Sequence, residues 1–506
     1  MKNYQGSFMQ SCAFLAIATL LLTFMGCKQS EKPEQVKVLP TELPVTTSST
    51  DALASFNKGM ELLDVGNSQQ ARVYFAKAIE LDSGFASAYL YRSNTSPSNE
   101  HFKMDLATAT NNLEGKNEGE KILVELYRTF LNNNTEERLR LAEQLVAAYP
   151  TSPRALAYLG DCYADMSQHE KARVHYQKAI NLDSSWVGGY FSLANSFMNI
   201  DPRDFNKAEE NFIKVVALKS DLSGSHVYLG DAYRAQNNLE KAREAYENAL
   251  EKDPNDALTY LKRGHVNSYL GSFEEARKDY RKAAEFNPDN KVAPINFEAF
   301  TYLYDGDFKT AKSWLEEKAK NINKIGLHES QIIGVKNSFL SNCAIIAFHM
   351  DDAKEVSRLV AMMKPVSEKI GEGIGTEEAK LQQKANILTW EAYALAMKGD
   401  YAAATAKAEE AKTSLEPVKN PNKLWGYHAS LSYISYRQGK YDDAIAHQEQ
   451  SDPNAPYSKY RLALACEKAG QAEMATKLYN ELIDYNFNNI GYALIRKELK
   501  DKVKPI

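Results

Sequence analysis

A 34-residue period constrains this chain more than any other feature. In Pro153–Trp186 it is marked by Leu159-Gly160, Tyr163, Ala172, Tyr176 and Ala179. Ser223–Asp256 repeats the marks as Leu229-Gly230, Tyr233, Ala242, Tyr246, Ala249 and Pro254. Ala257–Asn290 keeps Gly264, Ala276, Tyr280, Ala283 and Pro288, with Asn267 in place of the mid-helix tyrosine. A small residue at the eighth position lets two antiparallel helices approach. Alanine at the twentieth sits where the second helix crosses the first. An aromatic four residues later and an alanine three beyond it share one face of that second helix. Proline at the thirty-second position ends it. One such pair cannot bury its apolar face alone, so neighbours must stack. Length alone would suggest about three compact domains; the period replaces them with one elongated array.

The pattern resembles the tetratricopeptide repeat (TPR). The resemblance implies an all-α fold in which TPR helix-turn-helix pairs stack into a right-handed α-solenoid. Ala52–Phe85 keeps Gly59, Ala71, Phe75 and Ala78. Val187–Leu222 keeps Leu193-Ala194, Phe197, Ala208 and Phe212, with two extra residues around Asp201-Pro202 that lengthen the inter-helix turn. Residues 86–118 and 119–152 read as degenerate pairs. Further pairs follow at 294–320, 335–363, 377–415 and 456–484, and the count comes to about twelve. Gly371-Glu-Gly-Ile-Gly375 breaks the run and reads as a linker or hinge. Asn489–Lys500 reads as a terminal helix whose charged face (Arg496, Lys497, Glu498, Lys500) closes the stack towards water.

The first segment is an address rather than fold. Lys2 precedes the apolar run Cys12–Phe24, which is short for a membrane span, and Gly26 stands immediately before Cys27. The Gly-Cys junction resembles a bacterial lipoprotein box, although Phe24 and Met25 stand where smaller or aliphatic residues are usual. It implies cleavage before Cys27 and a lipid on its thiol. Residues 28–50, rich in Pro, Ser and Thr, read as a flexible tether. The expected organisation is a lipoprotein signal peptide (1–26), a tether (27–50) and an N-terminal TPR solenoid (51–320). A divergent helix pair with linker (321–376) and C-terminal degenerate repeats with a terminal helix (377–506) complete it. The expected location is the bacterial cell envelope, anchored to its outer membrane.

Composition excludes other classes. Lys+Arg 61 against Asp+Glu 66 leaves a net charge of −5, without the basic footprint of a nucleic-acid binder. Past Cys27 only Cys162, Cys343 and Cys466 remain, far apart and in apolar helical stretches, so they read as buried structural thiols. No catalytic signature, Walker loop or H-E-x-x-H is present. His169 and His175 are six apart, which misses the helical spacing of a metal pair, and His349 near Asp351 and Asp352 reads as a polar turn. The expectation is a protein without enzymatic activity, cofactor or metal.

If first helices line the concave surface, partner information sits at positions 5, 9 and 12 of each repeat. Position 5 gives an apolar strip, Ala157, Phe191, Val227 and Leu261. Position 9 gives a polar one, Asp161, Asn195, Asp231 and His265, and position 12 adds Met198 and Arg234. Such a groove would hold an extended peptide or a helix; packing against neighbouring first helices would explain Phe191 and Leu261 equally well. The chaperone-tail clamp of this family needs a position-5 lysine that is missing here. The leading function is therefore a membrane-tethered scaffold for a protein or peptide. The alternative is a sensory or ligand-binding subunit recognising a small molecule or glycan through its C-terminal half, where Trp390, Trp425, Tyr427 and Tyr433 cluster.

Overall fold

The computed structural model describes residues 43–483, 485 and 487–503. The expected signal segment, Cys27 and the tether up to residue 42 lie outside the described residues. Within them the regular elements are all helical: twelve antiparallel pairs and one last helix. The first three pairs are α1 (Thr50–Leu63) with α2 (Ser68–Leu81), α3 (Ala86–Asn94) with α4 (Asn99–Asn111), and α5 (Glu118–Arg128) with α6 (Thr135–Ala148). Three regular repeats follow: α7 (Pro153–Asp165) with α8 (His169–Leu182), α9 (Val187–Asn199) with α10 (Phe205–Leu218), and α11 (Ser223–Ala235) with α12 (Leu239–Lys252). Next are α13 (Ala257–Leu270) with α14 (Phe273–Phe286), and α15 (Val292–Asp305) with α16 (Phe308–Lys320). The longest pairs are α17 (Glu329–His349) with α18 (Ala353–Ile374), and α19 (Glu377–Met397) with α20 (Tyr401–Leu415). The chain ends in α21 (Trp425–Arg437) with α22 (Tyr441–Gln448), α23 (Pro456–Lys468) with α24 (Ala472–Ile483), and α25 (Ile490–Lys502).

The periodic positions form the seams. A Cβ added at Gly160, Gly230 or Gly264 would lie 2.6 Å from a ring carbon of Tyr176, Tyr246 or Tyr280, so the aromatic of the second helix lies flat on the glycine of the first. Ala71, Ala172, Ala208, Ala242, Ala276 and Ala311 are fully buried at the crossings. Overpacking such a crossing by even a methyl group costs about 1–3 kcal/mol, which is why the small residues recur. Asn267 bridges its pair differently, donating to Asp279 at 3.0 Å, while Arg263 holds the same carboxylate through Nε and Nη2. The turn between α9 and α10 spans 200–204, against 166–168 between α7 and α8, so the two extra residues lengthen that turn. Cys162, Cys343 and Cys466 are all buried and free. The apolar length of α17 is core, with Phe339, Leu340, Cys343 and Ala344 fully buried.

Two expectations are corrected. Residues 366–374 are not a linker: α18 runs through Pro365 to Ile374. Gly371 serves close packing there, its added Cβ falling 3.0 Å from Lys380 Cα, and the helix ends only at Gly375, where φ is +79°. The last residues of the tether are not free either. Leu43 is 5% exposed in a core cluster with α3, α5 and α7. Thr46 donates its N–H and hydroxyl to Glu120, and Asn117 donates to Pro44 O at 2.9 Å. Helix α25 keeps Lys497 and Lys500 exposed and Arg496 and Glu498 half-buried, while its other side enters the core. Its Tyr492, Ala493, Leu494, Ile495 and Leu499 are fully buried in the core cluster that includes residues of α13, α15, α17 and α23. The apolar period of α25 outweighs its charges, which find partners instead: Arg496 donates to Tyr269 O at 3.2 Å and Lys497 to Asp305 O at 2.8 Å.

The N-terminal end turns inward as well. The α1–α2 turn, Asp64–Asn67, lies against the first helices α7, α9 and α11. Arg154 grips Asp64 with two hydrogen bonds of 2.9 and 2.8 Å, and the Trp186 indole donates to the same carboxylate at 3.0 Å. Gly66 has a φ of +77° and fits beneath Phe191 and Tyr228, whose rings an added Cβ would strike at 2.4 Å. Tyr228 donates to Gly66 O at 3.3 Å, and Lys219 pairs with Glu61 at 2.5 Å.

Candidate functional site

Two adjoining cavities lie in the N-terminal half. One cavity of about 300 Å³ lies between the α1–α2 turn, α5, α7 and α9, and its lining includes Tyr127, Ala157, Asp161, Phe191 and Ser192. A second of about 470 Å³ runs beside the α3–α4 turn, from Ser98 and Phe102 to Leu131. Both are lined by Asn94, Tyr127 and Phe130, so the two cavities adjoin at these residues as two parts of a trough. Its ledge is apolar: Phe130 is 46% and Leu131 50% exposed in the short 3-10 turn Thr129–Leu131. Arg138, buried below, stacks its guanidinium 3.6 Å from the centre of the Phe130 ring and donates to Asp165 at 2.7 Å.

Asp161 is the notable charge in the trough. It is exposed to the cavity, and Oδ1 accepts a hydrogen bond from Tyr176 at 2.7 Å. Surrounding protein disfavours its anion and raises the carboxyl to about 6, against the Tyr176 hydrogen bond and with help from nearby Asp165. Tyr158 and Tyr127 are pushed upward by burial in the same wall.

The ten residues expected along the groove do not form one surface. Ala157, Asp161 and Phe191 meet in the trough. Phe191 nonetheless lies partly under the chain's own first repeat, in edge contact with Tyr228 at 4.8 Å between ring centres. Val227 is core, 6% exposed among Ala242, Tyr246 and Val266. Met198 packs against the cluster that joins α1 to α9, and Asn195 accepts from Asn199 at 3.3 Å. Asp231 is taken by Tyr246 and Lys262, with Arg234 at 3.9 Å. His265 touches the Tyr280 hydroxyl at 3.0 Å and Asn488 at 2.9 Å, just ahead of α25. Burial pushes its imidazole down to about 3, with Arg234 and Lys262 adding to the effect. Leu261 stays half-buried on α13, away from the trough.

What the repeat positions missed is the trough's other wall, Asn94, Tyr127 and Phe130, which belongs to the degenerate pairs. One signal was legible: the apolar Phe130-Leu131 directly precedes Asn132-Asn133-Asn134, where a turn would ordinarily be polar throughout.

The C-terminal half holds a cavity of about 480 Å³ among α18, α19 and α20, and a smaller one of about 230 Å³ lined by Phe348, Tyr433, Tyr436, Tyr457, Arg461 and Glu498 among others. Its acids are engaged: Glu498 with His349 at 3.3 Å, and Asp351 with Arg437 at 2.6 Å. Arg461 sits 5.0–5.8 Å from the centres of Phe348, Tyr393 and Tyr433 and has no ion-pair partner among the described residues. His349 thus belongs to this pocket, bonded to Tyr457 at 3.1 Å, rather than to a simple turn.

Comparison with known proteins agrees with the seams. The tetratricopeptide repeat model matches residues 52–85, 153–185 and 257–290, and a second TPR repeat model matches 230–268. The human O-mannosyl-transferase TMTC3 is 25% identical over 46% of this chain, and mouse superkiller complex protein 3 is 29% identical over 24%. The chain spans only 26% and 8% of those two proteins. Among solved structures, MamA aligns over 34% of this chain and 95% of its own, at 23% identity and a TM-score of 0.29. YrrB, described as a TPR protein with an unusual peptide-binding site, aligns over 35% of this chain and 89% of its own, at 18% identity and a TM-score of 0.30. The helix pairs at 52–85, 153–185 and 257–290 are tetratricopeptide repeats, and the chain is an all-α solenoid built from such pairs.

Proposed function

We propose that this protein is a non-catalytic scaffold that holds an extended segment of a protein partner in the trough along α3, α5, α7 and α9, while a lipid on Cys27 tethers it to a membrane of the bacterial envelope. The observation that carries the binding reading is the adjacency of the two cavities, which share Asn94, Tyr127 and Phe130 as lining. An exposed apolar ledge with hydrogen-bonding groups beyond it suits an extended peptide, whose side chains alternate in character along the groove. The tether reading rests on the Gly26-Cys27 junction and on Leu43–Ser49, whose docking gives a tether a fixed point of departure.

A photo-crosslinking residue at Ser192, in the trough, tests the binding site against one at Lys178, on the outward second helix α8. Adducts with a partner at position 192 and none at 178 are expected; equal labelling would remove the trough from consideration. Mass spectrometry of the mature chain should show an acylated Cys27, and an unmodified thiol there would remove the anchor. A second reading, a small-molecule sensor, is favoured by the C-terminal cavity, where tyrosine rings converge on an Arg461 without an acidic partner.

A further inference from the structure

We propose that the trough takes a cationic side chain, a lysine or arginine of the partner, at Asp161. This rests on the trough being the peptide site. The inference follows from counting charges around the inner cavity. Asp64 is matched by Arg154, and Asp165 by Arg138. Asp161 has no ion-pair partner among the described residues, and the Tyr176 hydroxyl donates to it at 2.7 Å. It nevertheless faces the cavity, between the rings of Tyr127, Tyr158 and Phe191.

An occupant that fills this space shields Asp161 from solvent. A neutral side chain would leave the carboxylate stripped and unpaired, and an acidic one would add repulsion from Asp161 and Asp165. A cation supplies the missing countercharge, and aromatic walls also favour it through their ring faces. The length of a lysine or arginine stem matters as well, since its methylenes can lie on the Phe130–Leu131 ledge while the charged head reaches inward.

The test uses the full chain and three acetylated, amidated tripeptides: Leu-Lys-Leu, Leu-norleucine-Leu and Leu-Glu-Leu, titrated by calorimetry. The lysine peptide should bind at least tenfold more tightly than the norleucine one. Asp161→Asn should erase that difference, and Asp161→Lys should shift preference to the glutamate peptide, with circular dichroism confirming unchanged helicity. Equal binding of the lysine and norleucine peptides overturns the cation at Asp161 but leaves the trough as a peptide site. Binding of none overturns both. A lysine preference that survives Asp161→Asn places the cation elsewhere and overturns the assignment.

Discussion

The two ends of this solenoid both fold back onto first helices, and they do so by different means. At the N-terminal end a four-residue turn enters the concave side and is held by a buried ion pair, Asp64 with Arg154. At the C-terminal end a whole helix, α25, is laid in, held mainly by apolar contact. A turn covers little surface, so it leaves the trough beside it; a helix covers much, so α13 and α15 have little of their inner face left. The lesson is that repeat positions normally free for partners can be consumed by the chain itself. How much of the first helices beside it stays open depends on the size of the segment that closes them.

Removing α25 should have the largest effect. Truncation after residue 488 uncovers the core of 257–483, and that region is expected to become protease-sensitive while 50–250 stays resistant. Limited proteolysis followed by mass mapping separates the two; uniform resistance would mean that α25 is dispensable to the fold. Next in size is Asp64→Ala. It takes from the buried Arg154 a carboxylate held by two hydrogen bonds, and from the Trp186 indole its acceptor, and its effect should be confined to the first half. Asp64→Ala with Arg154→Ala together should cost less than the sum of the two, measured by denaturant unfolding.

Acid should distinguish the halves more gently. His265 has a folded pKa of about 3, below its usual 6.5, so its contribution is complete above pH 6.5 and is lost as pH falls towards 3. At pH 5 this amounts to about 2 kcal/mol for one histidine held neutral. A drop in stability between pH 7 and pH 5 that is smaller in His265→Gln is the expected outcome; an identical drop in both would relieve His265 of the role.

Much of the fold was legible because its determinants are local. Gly160 under Tyr176, or Ala172 at a crossing, depends on residues within one pair, and 34-residue spacing records it. The site was less legible because closure joins residues far apart in sequence. Asp64 meets Arg154 across 90 residues and Asn488 meets His265 across 223, and no period encodes either contact. Position 9 lines a cavity at Asp161, yet at His265 the same position is occupied by the chain itself. Gly371 misled for a related reason: glycine marks a break and a close approach alike, and only the neighbouring Lys380 backbone reveals which.

Hydrogen exchange on the intact chain tests the self-closure most directly. Amides of 490–502 should exchange as slowly as those in the middle of α13 and α15 and open together with them. Rapid exchange of 490–502, typical of a terminal helix facing water, with α13 and α15 still protected, would contradict it.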